Sequence, residues 1–404
     1  MVEQSNLLRR LKDIPAGVWT LGFVSMLMDV SSEMIHALLP VYLVTALGTS
    51  TLTVGIIEGV AEATAAITKI FSGALSDRLG RRKGLAALGY GLAAFTKPVF
   101  PLAPSVSWLI AARFIDRIGK GIRGAPRDAL IADLSPPEIR GASFGLRQSL
   151  DTVGAFIGPS LAILLMVATA NSFTTVFWIA VFPAFLALGL IIFGVEEPER
   201  PPGQRQIKAP LSRTEMARLG GRYWWVVAVA AVFTLARFSE AFLVLRAQSV
   251  GLSIAVVPAV MVLMNVVYAA AAYPAGFLSD RMSRRTLLIA GLGVLVAADI
   301  ALAEATGVAL VAAGVILWGL HMGLTQGLLA TLVADTAPAE LRGTAYGMFN
   351  LITGVTLLAA SLMAGGLWDA LGPEGTFFAG ALLVAVAILG LIALPTDRIS
   401  GQQP

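Results

Sequence analysis

The sequence predicts an all-α membrane protein: twelve transmembrane helices in two pseudo-symmetric six-helix bundles. Three observations lead there. Of 404 residues, 57% are hydrophobic and only 13% charged, with a mean hydropathy of +0.80; a soluble protein is roughly one quarter charged. The apolar residues fall into a dozen runs, each about the 20 residues that cross a bilayer. The second half also repeats the first at an offset of just over two hundred residues, "GALSDRLGRR" returning as "GFLSDRMSRR" and "ADLSPPEIRGASFG" as "ADTAPAELRGTAYG".

The first six runs cover 18–45, 51–75, 83–103, 106–132, 142–168 and 173–194. Ahead of the first stands "MVEQSNLLRRLKDIPAG". It has bases before an apolar stretch, but no small-residue cleavage site follows, so the run reads as a retained helix and not a signal peptide. After the sixth comes "EEPERPPGQRQIKAPLSRTEMARLGGR", the only long polar linker, rich in proline and charge. It divides the chain into a bundle at 1–195, a cytoplasmic linker at 196–221 and a second bundle at 222–404. The remaining runs cover 222–247, 253–278, 285–304, 307–333, 344–368 and 375–395.

Orientation follows from Lys and Arg, which favour the cytoplasmic side. They gather at one set of helix ends: Arg9, Arg10 and Lys12; Arg78, Arg81, Arg82 and Lys83; Arg140; the linker; Arg281, Arg284 and Arg285; Arg342. The opposite turns near 47–51, 104–106, 169–173 and 370–374 hold none, and Arg246 is the one exception. Both termini are therefore expected in the cytoplasm, with the chain multi-pass in the cell (inner) membrane. The net charge of +4 reflects this topology and not a nucleic-acid partner. With no cysteine, a disulfide framework, a thiolate zinc site or an iron–sulfur site is excluded.

Charge at membrane depth costs several kcal/mol unless paired or hydrated, so each such residue is a functional candidate. The fourth run is the richest, "ARFIDRIGKGIRGAPRDALIAD", with Arg113, Asp116, Arg117, Lys120, Arg123, Arg127 and Asp128. Positions 113, 117, 120, 124 and 127 share a helical face, which must meet a cavity or other helices and not lipid. Asp116 and Lys120, four apart, can pair along the helix. Acids to meet these bases stand elsewhere in the first half: Asp29 and Glu33, which share a face with His36; Glu58 and Glu62; and Asp151, one turn beyond Arg147. A carboxylate in a cavity can take up a proton on one side and release it on the other, and Asp29 and Glu33 are the first candidates. His36 can titrate near neutrality, or is simply hydrogen-bonded. The second half offers Arg237, Glu240, Asn265, Tyr268, His321 and Gln326, and where helix four has Arg113, Asp116, Arg117 and Lys120 it has Val315, Trp318, Gly319 and Met322. Substrate contacts are expected from Arg117, Lys120, Glu58, Glu62 and Asp151 in one half and from Arg237, Glu240, Asn265, His321 and Gln326 in the other. The charge asymmetry puts proton coupling in the first half.

The chain resembles the major facilitator superfamily nearly end to end. The family's loop signature between helices two and three, G-x-L-a-D-r-x-G-r-k, is matched by Gly73, Leu75, Asp77, Arg78, Gly80, Arg81 and Arg82. It returns in the second half around Asp280 and Arg281, departing at Ser283. The resemblance implies that Asp77 helps latch the halves in the outward-open state, with Arg123 or Arg127 as partner; the alternative is a solvated loop whose bases only set topology. The family's fourth-helix pattern, R-x-x-q-G-x-g, is met by Arg113 and Gly119, with Asp116 where glutamine is common and Arg117 where glycine is common. It implies a proton-relay part for Arg113, here beside Asp116. In the fifth run, Gly145, Gly154, Gly158 and Pro159 follow the family's antiporter pattern G-x8-G-x3-G-P-x2-G-G, with Ala162 and Ile163 in place of the last glycines. Gly154 and Gly158 form a G-x-x-x-G face for a neighbouring backbone, and Pro159 would bend the helix.

The leading expectation is proton-coupled efflux of a small organic molecule, by antiport and alternating access, as a monomer with no cofactor. A proton symporter importing an organic anion is the alternative. Less favoured are a non-transporting membrane receptor and export of a metal ion held by Asp29, Glu33 and His36. An enzyme is not expected, since the polar segments show neither a Ser–His–Asp spacing nor a phosphate-cradling glycine loop, and no resident metal site is expected.

Overall fold

The computed structural model describes residues 14–79, 82–136, 139–197, 216, 218–279, 282–325, 328–338 and 341–393. Among them the regular structure is helical throughout. The principal helices are α1 (Ala16–His36), α2 (Thr51–Leu79), α3 (Arg82–Thr96), α4 (Val106–Leu134), α5 (Arg140–Ala168), α6 (Phe173–Gly194), α7 (Gly221–Ala236), α8 (Ala241–Ser249), α9 (Ala259–Ser279), α10 (Arg284–Ala303), α11 (Val308–Thr325), α12 (Leu328–Thr336) and α13 (Arg342–Ala393). Eight helical stretches are long and apolar enough to cross a membrane: Ala16–Ala46, Arg82–Leu102, Ala142–Ala168, Phe173–Gly194, Gly221–Ser249, Arg284–Ala303, Val308–Thr325 and Ala345–Ala393. The 29 residues of α2 and the 29 of α4 reach that length too, but charge interrupts their apolar sequence. At 1.5 Å per residue, the 52 residues of α13 far exceed the ~30 Å of a bilayer core. The chain turns inside it at Gly372, whose φ of 78° and ψ of 178° are not helical; glycine adopts such a φ without a Cβ clash.

Several runs that read as single spans are broken, for local reasons. The first run ends its helix at His36 and continues as Leu39–Val41 and a π-turn at Tyr42–Ala46. Pro40 has no N–H, and its ring collides with the carbonyl four residues earlier. Pro98 separates α3 from Val99–Leu102 in the same way. The expected start of the eighth run at 253 gives way to turns, and α9 begins only after Pro258. The break between α7 and α8, at Arg237–Glu240, contains no proline. By contrast, α5 is assigned as one helix through Pro159.

Packing repeats within each half. In the first, α1 lies on α5 and α6 while α4 lies on α2 and α3; in the second, α13 lies on α7 and α10 while α11 lies on α9 and α10. Among the described residues the halves are joined by α2 with α13, by α5 with α9, and by the Leu39–Val41 turn with α8. One hydrophobic core runs across both halves through Leu39, Val41, Phe242 and Leu245. Towards the ends of α1, α6 and α7 near the linker it splits, into a cluster with Ile14, Tyr90 and Ile191 and another with Leu219, Tyr223 and Leu341. The apolar packing thus has the form of a wedge, shared by both halves at one end and divided between them at the other. Arg246, the basic exception at the closed end, is buried, and its guanidinium donates to the carbonyls of Leu302 at 2.8 Å, Ala303 at 2.9 Å and Ala305 at 2.8 Å. It caps the end of α10, whose last carbonyls lack intrahelical partners. At the linker end, the Glu197 carboxylate accepts the N–H groups of Arg82 at 2.7 Å and Lys83 at 2.8 Å, capping the first turn of α3.

Candidate functional site

A cavity of about 890 Å³ lies between the halves. Its first-half wall carries Asp29, Glu33 and His36 from α1, Glu62 and Lys69 from α2, Arg117, Lys120, Arg123 and Arg127 from α4, and Arg147 and Asp151 from α5. Facing them are Arg237, Phe238 and Glu240 from the α7–α8 break, Asn265 and Tyr268 from α9, and Phe349 and Asn350 from α13. Glu33 thus stands on one wall and Glu240 on the other. Glu240 is delivered by an unwound segment, the kind of interruption that lines ligand cavities in membrane proteins.

The charges divide into those already paired and those without a partner. Arg117 Nη2 stands 3.1 Å from Glu62 and Arg147 Nη1 2.6 Å from Asp151. Arg127 donates to Asp128 at 3.1 Å and to the Ser25 hydroxyl at 2.9 Å. The Arg123 guanidinium sits over the Tyr90 ring at 4.9 Å. Among the described residues, the side chains of Asp29, Lys69, Lys120, Arg237 and Glu240 make no hydrogen bond or ion pair. All five line the cavity.

Behind this wall lies a drier layer. Arg113 donates to both oxygens of Glu58, at 3.1 and 2.8 Å. His36 bridges the layers, its Nε2 being 3.3 Å from Glu58 and its Nδ1 3.5 Å from the cavity-lining Glu33. Asp116 is held by Lys97, whose ammonium also donates to the Ser32 hydroxyl, each at 3.0 Å. The helical pairing of Asp116 with Lys120 expected from their spacing is therefore not formed. Lys97 emerges where Pro98 breaks the third run and takes that carboxylate, while Lys120 turns to the cavity. Arg113, Asp116 and Glu58 lie outside the cavity lining and are buried to 2%, 3% and 1% exposure.

The glycines of the fifth run set the position of the acids. A Cβ on Gly154 would stand 2.6 Å from the Met26 carbonyl and 3.1 Å from the Asp29 Cβ; one on Gly158 would stand 2.8 Å from both the Val30 carbonyl and the Glu33 Cβ. The backbone that approaches the G-x-x-x-G face is thus α1, at the residues carrying Asp29 and Glu33, and Pro159 follows directly.

His321, expected among substrate contacts, lies away from the cavity. It is fully buried, its Nδ1 is 2.8 Å from the Gly291 carbonyl, and its ring packs on Phe233 at 5.6 Å. Gly73, Asp77 and Arg78 fall in the last turns of α2. Gln326, Gly80, Arg81, Asp280 and Arg281 lie outside the described residues. Four residues went unnoticed in the sequence reading: Lys69, Lys97, Asp299 and Asp369. For Lys97 and Asp299 the signal was available, a single charge inside an apolar run, "AAFTKPVF" and "LVAADIALA".

A family model described as Major Facilitator Superfamily matches residues 21–355 and 241–404. An uncharacterized MFS-type transporter of Methanocaldococcus jannaschii is 34% identical, over 95% of this chain and 95% of its own. An uncharacterized protein of Mycobacterium tuberculosis is 29% identical, over 93% of this chain and 91% of its own. Among solved structures, a bacterial homologue of the human lysosomal transporter Spinster, inward-facing and occupied, superposes with a TM-score of 0.76 at 16% identity, over 93% of this chain and 95% of that one.

Proposed function

The chain belongs to the major facilitator superfamily and so is a multi-pass membrane transporter, and from that premise we propose that it exports a small organic molecule bearing an anionic group in exchange for protons. Adding α2, α4 and α9 to the eight apolar stretches, and reading α13 as two passes about Gly372, gives twelve crossings, six on each side of the 196–221 linker. Both termini and the linker face the cytoplasm in the inner membrane. The wedge is then shut on the outside and open inward, the state in which an exporter loads.

The observation that carries this reading is the set of unpartnered cavity charges. Lys69, Lys120 and Arg237 offer cations to an anionic substrate, and Asp29, with Glu33 beside it, offers carboxylates to protons. Of the other bases of α4, Arg113, Arg117 and Arg127 are ion-paired and Arg123 lies over the Tyr90 ring, so the substrate charge belongs near Lys120 and Arg237. Phe233, Phe238, Tyr268 and Phe349 supply apolar and aromatic surface for the rest of the molecule. Protonation of Asp29 or Glu33 drives the cycle only if it binds one facing state better than the other; both stand on the cavity wall, whose access to water changes sides when the wedge reverses. Asp77, Arg78 and Arg127 would close the inner mouth in that reversed state. The same cations suit the alternative, a proton symporter importing an organic anion.

The test is a thermal-shift screen of organic anions against the detergent-purified chain and its Lys120→Gln and Glu33→Gln variants. A compound that stabilises the parent and loses its effect in Lys120→Gln is then loaded into proteoliposomes. Extrusion driven by an imposed proton gradient supports export. Gradient-driven uptake establishes the symporter, and flux indifferent to the gradient sinks both.

A further inference from the structure

Asp299 stands one turn from the end of α10 with no exposed surface. Neither carboxylate oxygen has a hydrogen-bond partner. Most buried polar side-chain atoms in a folded protein do find one, and an unpaired acid in a transmembrane segment is by default functional. Its surroundings are apolar. A Cβ on Gly380 would stand 2.8 Å from Asp299 Oδ2 and 3.3 Å from Phe238 Cε1, so the acid, α13 and the Phe238 ring meet at one point. Phe238 belongs to the unwound Arg237–Glu240 segment and borders the cavity. Its ring packs on Phe242, Trp318 and Phe377 with centroids 5.5, 5.8 and 5.5 Å away. Trp318 is fully buried as well, and its indole N–H has no acceptor. An orphaned acceptor and an orphaned donor thus adjoin one aromatic ring, and that ring is a wall of the cavity.

We infer that Asp299 is a second proton-binding site, in the opposite half from Asp29 and Glu33, and that Phe238 is the door between it and the cavity. A hard metal cation takes about six oxygen ligands, and among the described residues no group of three or more acids and histidines could hold one. A proton needs a single oxygen. It passes from cavity water to an Asp299 oxygen, leaving hydroxide to be neutralised in the bath, and returns by the reverse step. Phe238 can admit it because the ring hangs on a segment that no helical hydrogen-bond ladder fixes. Among the described residues no other ionisable group crowds the acid: Arg237 and Glu240 face the cavity, and His321 of α11 is tied to Gly291. The site is independent of transport direction and rests on the coupling reading only for the use made of its proton.

The experiment needs no substrate. Infrared spectra of the detergent-purified chain are taken against pH, in light and heavy water. The expected result is a carboxylic-acid carbonyl band that is missing from Asp299→Asn, persists in Asp29→Asn and shifts slowly in heavy water. In Phe238→Ala that shift becomes several-fold faster. Should Asp299→Asn fail to fold, Asp299→Glu keeps the acid and moves the band. Identical spectra for the parent and both Asp299 variants overturn the site; an unchanged exchange rate in Phe238→Ala overturns the door; loss of the band on adding sodium at fixed pH assigns the site to a metal cation instead. A chain that keeps the band but shows no proton-driven flux sinks the coupling reading alone.

Discussion

Asp369 and Thr51, 318 residues apart, are bonded to each other across the two halves. The Thr51 N–H donates to Asp369 Oδ1 at 3.1 Å and its hydroxyl donates to the same oxygen, while the Leu52 N–H donates to Oδ2 at 3.0 Å. These N–H groups open α2, where a helix leaves its amides unpaired and its dipole favours a carboxylate. Below this cap the backbones of α2 and α13 touch: a Cβ on Gly55 would collide with the Ser361 carbonyl, and one on Gly365 would stand 2.7 Å from the Thr51 carbonyl.

The first prediction follows from that cap. Asp369 is exposed, so each bond contributes modestly, but all three must break for the closed end to part. The natural chain has no cysteine, so a single Ser361→Cys reporter in the buried seam has no background. Asp369→Ala is expected to speed its labelling by a maleimide about tenfold, the effect of about 1.4 kcal/mol on an opening equilibrium. Asp369→Asn, which keeps an acceptor but no charge, should fall between. Equal labelling rates in all three proteins would falsify the clamp.

The Gly158 contact predicts a second result. A methyl there meets the Val30 carbonyl and the Glu33 Cβ at 2.8 Å, and backbone cannot yield as a flexible side chain can. Gly158→Ala should therefore lower stability by about 1–3 kcal/mol, the usual cost of overpacking, and displace Glu33. Gly189→Ala in α6, where nothing lies within 4 Å, should be neutral or gain from better helix propensity. Thermal melting in one detergent compares the two, and equal melting temperatures would show that α1 and α5 are looser than described.

The Lys97–Asp116 pair is buried on both sides, at 1% and 3% exposure. Removing one member leaves a stranded charge, a loss of about 3–5 kcal/mol. Lys97→Met is expected to destabilise by that order, and Lys97→Met with Asp116→Leu to recover most of it, because two apolar groups leave no charge unpaired. A double-mutant cycle on detergent melting reads the coupling. Simple additivity would mean that Asp116 has found another donor.

What the sequence disclosed, and what it did not, follows from the range of the interactions. The family, the membrane setting and the helical runs are written locally, in hydropathy and in repeated motifs such as Gly73–Arg82. The breaks at Pro40 and Pro98 were readable as well, since proline acts on its own turn. The break at Arg237–Glu240 has no such marker: the rings around Phe238 are Phe242, Trp318 and Phe377, two of them far along the chain. Asp116 was paired with the wrong lysine because spacing along one helix is visible in a sequence and a partner on another helix is not. The same reason hid Asp369, which reads as a loop acid until α2 is placed against it. The cavity acids Asp29 and Glu33 were found because charge in an apolar run is costly wherever it points, but that cost cannot distinguish a cavity wall from the drier layer holding Arg113 and Glu58.

The last prediction separates coupling from binding. Asp29 lines the cavity with no hydrogen bond or ion pair among the described residues, so Asp29→Asn breaks no contact and should leave the stability within about 0.5 kcal/mol of the parent. If the acid carries the coupling proton, substrate exchange across proteoliposomes at equal pH continues in Asp29→Asn, because exchange needs only the loaded cavity to reverse. Accumulation driven by a proton gradient should fall towards the passive level, and the fall should not be rescued by more substrate. Lys120→Gln should do the opposite, weakening exchange and gradient-driven flux together and recovering both at higher substrate concentration, since it removes a cation that meets the ligand and leaves the carboxylates in place. A matched loss of exchange and accumulation in Asp29→Asn would mean that the acid serves the substrate instead of the proton.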